Sequence, residues 1–223
     1  MKVNHLHNWQ ITPKQARTVQ NELSGMVSRN GNVEAPHLIA GVDISCSRFR
    51  NTARAAVVLL DYPALNPVDF AVSEKPIGFP YIPGLLSFRE APLILDACEK
   101  LHLTPDILLV DGQGIAHPLR IGLASHLGLF LNIPTIGCAK SRLCGEHEAV
   151  PDETGTYVEL KDKEEVIGAV LRTKIHTKPI YVSIGHLINL TSAVNLVIAC
   201  CRGYRLPEPT RLAHQVAGGR VNL

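Results

Sequence analysis

The chain has 223 residues, 46% of them hydrophobic and 19% charged, which is enough apolar mass for a sizeable core and excludes a disordered chain. Its 17 glycines and 15 prolines are scattered, so collagen-like and low-complexity architectures are excluded too. Lys and Arg number 22 against 20 Asp and Glu, a formal charge of +2, so a polyanionic partner must be gripped by a local patch or through bound cations.

No apolar run approaches the ~18 residues of a membrane helix. The opening MKVNHLHNWQ has no signal-peptide core, and a cytoplasmic protein without membrane contact is expected. Cys46, Cys98, Cys138, Cys144, Cys200 and Cys201 show no CxxC spacing and sit mostly in apolar stretches, where a free cysteine behaves as a small hydrophobe. Neither an internal repeat nor a linker appears, so residues 1–223 are read as one domain.

Thr12-Pro13-Lys14-Gln15 is a capping-box pattern with proline at the first helical position, and Ala16, Val19, Leu23, Met26 and Val27 form an apolar stripe at helical spacing. Asn30-Gly31-Asn32 is expected to end this helix. Strands follow at residues 38–46, 53–60 and 67–77, with short turns such as Arg50-Asn51-Thr52 that suggest an antiparallel meander. Beyond Gly84 helices and strands alternate: a helix after Ser87 to about residue 101, a strand at 107–111, a helix near 121–131 and a strand at 135–139. Such alternation implies parallel pairing through helical crossovers. A β pair at 165–173 and 179–184, a helix at 189–201 and a last short helix from about Pro209 complete a mixed α/β sheet.

Three carboxylates stand out. Asp43 interrupts the apolar run Ile39-Ala40-Gly41-Val42-Asp43-Ile44, where a charge is costly unless it is paired, bound to metal, or at a strand edge facing water. Asp111 closes Ile107-Leu108-Leu109-Val110-Asp111, at the strand end where open α/β sheets bind ligands, although an Asp before Gly112 also simply starts a turn. Glu90 follows Ser87 at capping-box spacing, with Pro92 supporting a nearby helix start, so backbone capping is the local reading. Convergence of the three around one sheet would make an oxygen-ligand pocket suited to Mg²⁺. Beside a phosphodiester, such an ion activates water and stabilises the leaving oxygen. Gly112-Gln113-Gly114-Ile115-Ala116-His117 imitates a dinucleotide fingerprint, but His117 replaces the final glycine and the strand comes mid-chain. Close approach of this backbone to a phosphate or base is the better use of its glycines.

The run Phe79-Pro80-Tyr81-Ile82-Pro83-Gly84-Leu85-Leu86-Ser87-Phe88-Arg89-Glu90 resembles the wedge and following helix of the endonuclease V family. So do Gly41-Val42-Asp43, the stretch from Val110 to Pro118, Gly122-Leu123-Ala124-Ser125-His126-Leu127-Gly128, Gly137-Cys138-Ala139-Lys140-Ser141 and Arg205-Leu206-Pro207-Glu208-Pro209-Thr210-Arg211. The matches run in family order from about residue 12 to His214.

The resemblance implies a ribonuclease H-like fold whose mixed central sheet, an antiparallel meander plus parallel βαβ strands, is flanked by helices. It implies Asp43, Glu90 and Asp111 as metal-centred catalytic carboxylates and His214 as a further active-site residue. The implied cofactor is Mg²⁺, with Mn²⁺ able to substitute. The implied reaction is inosine-directed cleavage at the second phosphodiester bond on the 3′ side, leaving 3′-hydroxyl and 5′-phosphate ends. The implied partner is inosine-containing nucleic acid, DNA first; the alternative functions are an inosine-specific endoribonuclease or another ribonuclease H-like nuclease, and a monomer in DNA repair is expected.

Pro80-Tyr81-Ile82-Pro83 is stiff, because both prolines fix φ and push the preceding residue extended, so an aromatic presented there can replace lost stacking in a disturbed base pair. Without the resemblance this loop reads as buried and hydrophobic. Lys140 is placed to neutralise phosphate charge in the transition state, or is a solvated strand-end lysine. Gly84, Gly112 and Leu143 are expected as walls of a pocket for an extruded hypoxanthine. One departure is Leu119-Arg120, where the family commonly has two arginines after His117-Pro118. Loss of a phosphate contact there would make binding weaker or more salt-sensitive.

Overall fold

The computed structural model describes residues 1–46 and 51–221. Helix α1 (Pro13–Ser24) opens on a complete capping box: the Gln15 N–H donates to the Thr12 hydroxyl, and the Thr12 N–H donates to the Gln15 side chain. It ends before Asn30, because Gly25 terminates it and the Ser24 hydroxyl turns back to the Asn21 carbonyl. Met26 therefore lies beyond the helix and is exposed, and the buried stripe stops at Leu23.

Strands β1 (Leu38–Cys46), β2 (Thr52–Asp61) and β3 (Pro67–Pro76) form the antiparallel meander, pairing Val42 with Val57 and Val57 with Ala71. Ser47 to Arg50, and with them the start of the expected Arg50-Asn51-Thr52 turn, lie outside the described residues. Helix α2 (Leu86–Glu99) crosses to β4 (Ile107–Val110), and α3 (Leu123–Leu131) crosses to β5 (Thr135–Ala139); β1, β4 and β5 run parallel. Beyond them β6 (Tyr157–Asp162), β7 (Glu165–Leu171) and β8 (Ile180–His186) add an antiparallel group, giving the order β3-β2-β1-β4-β5-β8-β7-β6. Strand β6 has no counterpart in the sequence reading. It is an edge strand with only Leu160 buried, so its pattern carries little hydrophobic signal.

Residues on β4 serve two cores, as expected for a strand covered on both faces. Ile107 and Leu109 pack with Ile39, Val194 and Leu212 on the side of α4 (Leu190–Ala199) and α5 (Glu208–Ala217). Leu108 and Val110 pack with Val57, Ile94 and Phe130 under α2 and α3. Among the described residues no helix is long and apolar enough to cross a membrane.

The N-terminal segment is clasped onto this second face. The Asn4 N–H donates to the Phe130 carbonyl at 2.7 Å, Trp9 packs on Phe130, and the imidazoles of His7 and His126 meet at 2.8 Å between their Nε2 atoms. His126 is fully buried, with its other ring nitrogen 3.0 Å from the Ser87 hydroxyl, and burial followed by the neighbouring His7 charge pushes its pKa down to about 3. A histidine depressed in the folded state binds its proton only after unfolding, so stability falls as pH drops below the unfolded value near 6.5. Melting temperature should decline between pH 7 and pH 5, by up to ~1.4 kcal/mol of stability per pH unit from this group. Replacing His126 by Asn should flatten that slope; thermal melts of both proteins across the range provide the check.

Candidate metal and nucleic-acid site

Parallel pairing places Val42 beside Val110, and the Asp111 N–H extends the ladder to the Val42 carbonyl at 3.0 Å. The two aspartates that follow these valines therefore stand next to each other, Asp43 inside β1 and Asp111 just beyond the carboxyl end of β4. Asp43 lies in the middle of the sheet and only 8% of its side chain is exposed, so it is not a strand-edge residue facing water.

Helix α5 reaches them because residue 41 is glycine. A Cβ there would lie 2.0 Å from the Pro209 carbonyl oxygen, closer than any side chain permits. With α5 lying directly on β1, the Nδ1–H of His214 donates to Asp43 Oδ2 at 2.5 Å. The other carboxylate oxygen of Asp43 accepts from the Ile44 N–H at 2.7 Å. Lys140, one residue beyond β5, places its ammonium against the Asp111 carboxylate and 3.8 Å from Asp43. It is thus an ion-paired residue of the site and not a free strand-end lysine.

Ligand atoms of Asp43, Asp111 and His214 all lie within 4.8 Å of one another, the one such group among the described residues. Two carboxylates and an imidazole fit a divalent cation with coordination positions left for water or phosphate. Glu90 stands outside that tight group but is buried beside it. It is not a cap: α2 begins at Leu86, no side chain caps it, and both Glu90 and Pro92 lie in its interior.

Burial first, and then the charge of Asp43, raises the Glu90 pKa to about 8, with Asp111 adding and Arg89 opposing. Burial and Asp43 likewise raise Asp111 to about 6 against the pull of Lys140. Folded values above the unfolded ones mean that these groups stabilise the protein fully below their unfolded pKa and lose that contribution as pH rises through about 6 and about 8. A divalent cation replaces those protons. Its stabilisation should therefore grow from pH 6 to pH 8.5, and Glu90→Gln should weaken that growth, as melts with and without the cation would show.

Next to the carboxylates is a cavity of ≈320 Å³, lined by Tyr81, Ile82, Pro83 and Gly84 together with Asp111, Gly112, Lys140 and Leu143. The three expected wall residues Gly84, Gly112 and Leu143 all border it, whereas Pro80 does not. Tyr81 is 70% exposed, which overturns the reading of this loop as a buried hydrophobic segment. The loop is anchored beneath by Phe79, which stacks on Phe88 at 5.8 Å while the Arg89 guanidinium donates to its carbonyl.

Several participants carry no local sequence signal. Arg205 donates to the carbonyls of Lys140 at 2.6 Å and Pro179 at 3.0 Å, fixing the backbone that carries the lysine. Arg120 spends its guanidinium on Asp162, Glu165 and the His117 carbonyl, tying the cavity wall to the β6–β7 turn. Leu119 packs with Leu23, Ile121 and Leu129, so in this chain position 119 belongs to an apolar cluster.

Residues 21–215 match the family model for endonuclease V. The endonuclease V of Dehalococcoides mccartyi is 52% identical over 217 residues, with 97% of each chain covered. The crystal structure of the Streptomyces avermitilis endonuclease V superposes with a TM-score of 0.90 at 37% identity, covering 98% of this chain and 97% of the other. An endonuclease V from Ciona intestinalis, solved with a 23mer DNA containing an inosine followed by a ribo-adenosine, has a TM-score of 0.81 at 27% identity, with 94% and 98% covered. The mixed sheet and its flanking helices are accordingly a ribonuclease H-like fold. By sequence and by architecture, this chain belongs to the endonuclease V family of nucleases.

Proposed function

We propose that the chain is a Mg²⁺-dependent endonuclease that finds inosine in nucleic acid, deoxyinosine in DNA first. It hydrolyses the second phosphodiester bond on the 3′ side, leaving 3′-hydroxyl and 5′-phosphate ends, as a single-domain monomeric repair enzyme of the cytoplasm. The observation that carries this reading is that Asp111 belongs both to the metal-donor group and to the cavity beside the exposed Tyr81, with its ion-pair partner Lys140 lining the same cavity. A base held in that cavity has its own strand passing over the carboxylates. The inosine-containing DNA bound by the Ciona relative supports the choice of base.

In this mechanism Asp43, Asp111 and His214 would hold the cation, with Glu90 supplying further negative charge behind them. The chemistry that a Mg²⁺ ion would supply there is an activated water and neutralisation of the leaving oxygen. His214 orients Asp43 through their short hydrogen bond. Lys140 offers positive charge where the phosphate gains negative charge. Pro80 and Pro83 stiffen the loop, Tyr81 and Ile82 fill the gap left by the extruded base, and Gly84, Gly112 and Leu143 enclose that base.

Matched strands carrying deoxyinosine, inosine or adenine at one position, incubated with and without Mg²⁺ and mapped to the nucleotide, test the proposal. One cut at the second bond 3′ to the deoxyinosine, only with the cation, is the expected result. Equal cutting of the adenine strand, or cutting in chelator, would refute it, and a stronger cut in the ribonucleotide strand would reassign the substrate to RNA.

A further inference from the structure

Gln20 is an amide in the middle of an apolar helix face. It lies one turn from Ala16 and from Leu23, both buried, and is itself only 1% exposed. Burying an amide is unfavourable unless its hydrogen bonds are replaced, so an aliphatic residue would be the default choice. Its Nε2 donates to the Gly84 carbonyl at 2.8 Å and lies 3.4 Å from the Ile121 carbonyl. Both acceptors belong to residues that line the cavity. Gly84 closes the Pro80–Pro83 loop with φ +81, and Ile121 precedes Gly122, the N-cap of α3. One side chain, from a helix with no residue in the cavity lining, therefore joins two separate segments of that lining.

The Gly84 carbonyl has a second donor. The Leu119 N–H donates to His117 Nδ1 at 3.1 Å, which leaves the ring proton on Nε2, and that atom lies 2.9 Å from the Gly84 oxygen. Burial pushes the His117 pKa down, in keeping with a neutral ring. Two donors thus hold the peptide at which the loop turns into α2.

We infer that Gln20 is a positioning residue for lesion engagement: it ties the end of the Tyr81 loop to the start of α3, so that the loop is ordered before nucleic acid arrives. It touches neither the metal donors nor Tyr81, so it acts on capture of the base and not on hydrolysis. The inference rests on the function proposed above for its kinetic consequence, but not for its structural one.

The structural consequence is read without substrate. Hydrogen exchange of the segment 79–86, which includes the Leu85 N–H bonded to Ile82, should accelerate about tenfold in Gln20→Leu relative to the parent chain, while the β-sheet exchanges unchanged. Exchange in this segment equal to that of the parent would overturn the inference. In cleavage of the deoxyinosine strand, Gln20→Leu should raise KM about tenfold, the loss of one effective hydrogen bond of ~1.4 kcal/mol, with kcat within about twofold. A fall in kcat at constant KM would also overturn it. In a Tyr81→Ala background the same change should add little, because both act through one loop, and fully additive effects would show that Gln20 works elsewhere. Gln20→Met repeats the test should the leucine variant not fold, and failure of both to fold would assign Gln20 to stability alone. If the parent chain ignores the deoxyinosine strand, the function proposed above fails while the exchange result still decides the role of Gln20.

Discussion

Asp111→Asn is expected to lower cleavage by about 10²–10³-fold or more, the scale on which electrostatic groups at a transferring phosphoryl matter, while leaving binding of the inosine strand intact or tighter. The amide keeps the shape of the side chain but cannot contribute the negative charge that holds a cation beside Asp43 and His214. Removing a carboxylate from beside the phosphate path also removes a repulsion. The folded protein should not suffer, because Asp111 is a buried acid whose charged form is disfavoured by burial and by Asp43. Single-turnover cleavage, gel-shift affinity and thermal melting measured on the same preparation separate these effects. Near-normal turnover would be incompatible with a metal-ligand role.

Tyr81→Ala is expected to act on finding the lesion rather than on cutting it. The ring is exposed at the rim of the cavity between two prolines, so it is presented at little entropic cost and stacks where a base has left. Stacking on an aromatic contributes roughly 1–3 kcal/mol per base, or about tenfold to a hundredfold in affinity. That loss should be larger in duplexes than in single strands, because only a duplex leaves a gap to fill. The cut position should stay the same, as should the melting temperature. A variant that melts early yet binds inosine strands normally would show that Tyr81 serves packing.

Much of the frame is legible in the residues themselves. The double-sided burial of Ile107–Val110, the Thr12 capping box and the meander all follow from patterns that act over a few residues. The features that escape such reading depend on distant partners. Ser87 and Glu90 match a capping box, yet α2 starts one residue before Ser87, so Glu90 is carried inward toward Asp43. Pro92 suggests a helix start but sits inside α2, where packing of Leu93, Ile94 and Leu95 against the sheet outweighs the lost N–H bond. His214 looks like any exposed helix residue, and 46% of its side chain is indeed accessible. Only the seating of α5 on Gly41 gives it Asp43 as a partner. Gln20, Arg120 and His126 are silent for the same reason, since the carbonyls, carboxylates and ring that satisfy them lie in remote segments.

The contact between Asp43 and His214 closes a loop of 171 residues, among the longest this chain can form. Loop closure of that span gives no return until the strands between have assembled, so it belongs late in folding. Among the described elements α5 also follows all eight strands in the chain. A chain cut between β8 and α5 would have all eight strands yet lack the imidazole that hydrogen-bonds Asp43. A truncation ahead of α5 would therefore take the imidazole from the site while keeping every strand of the sheet.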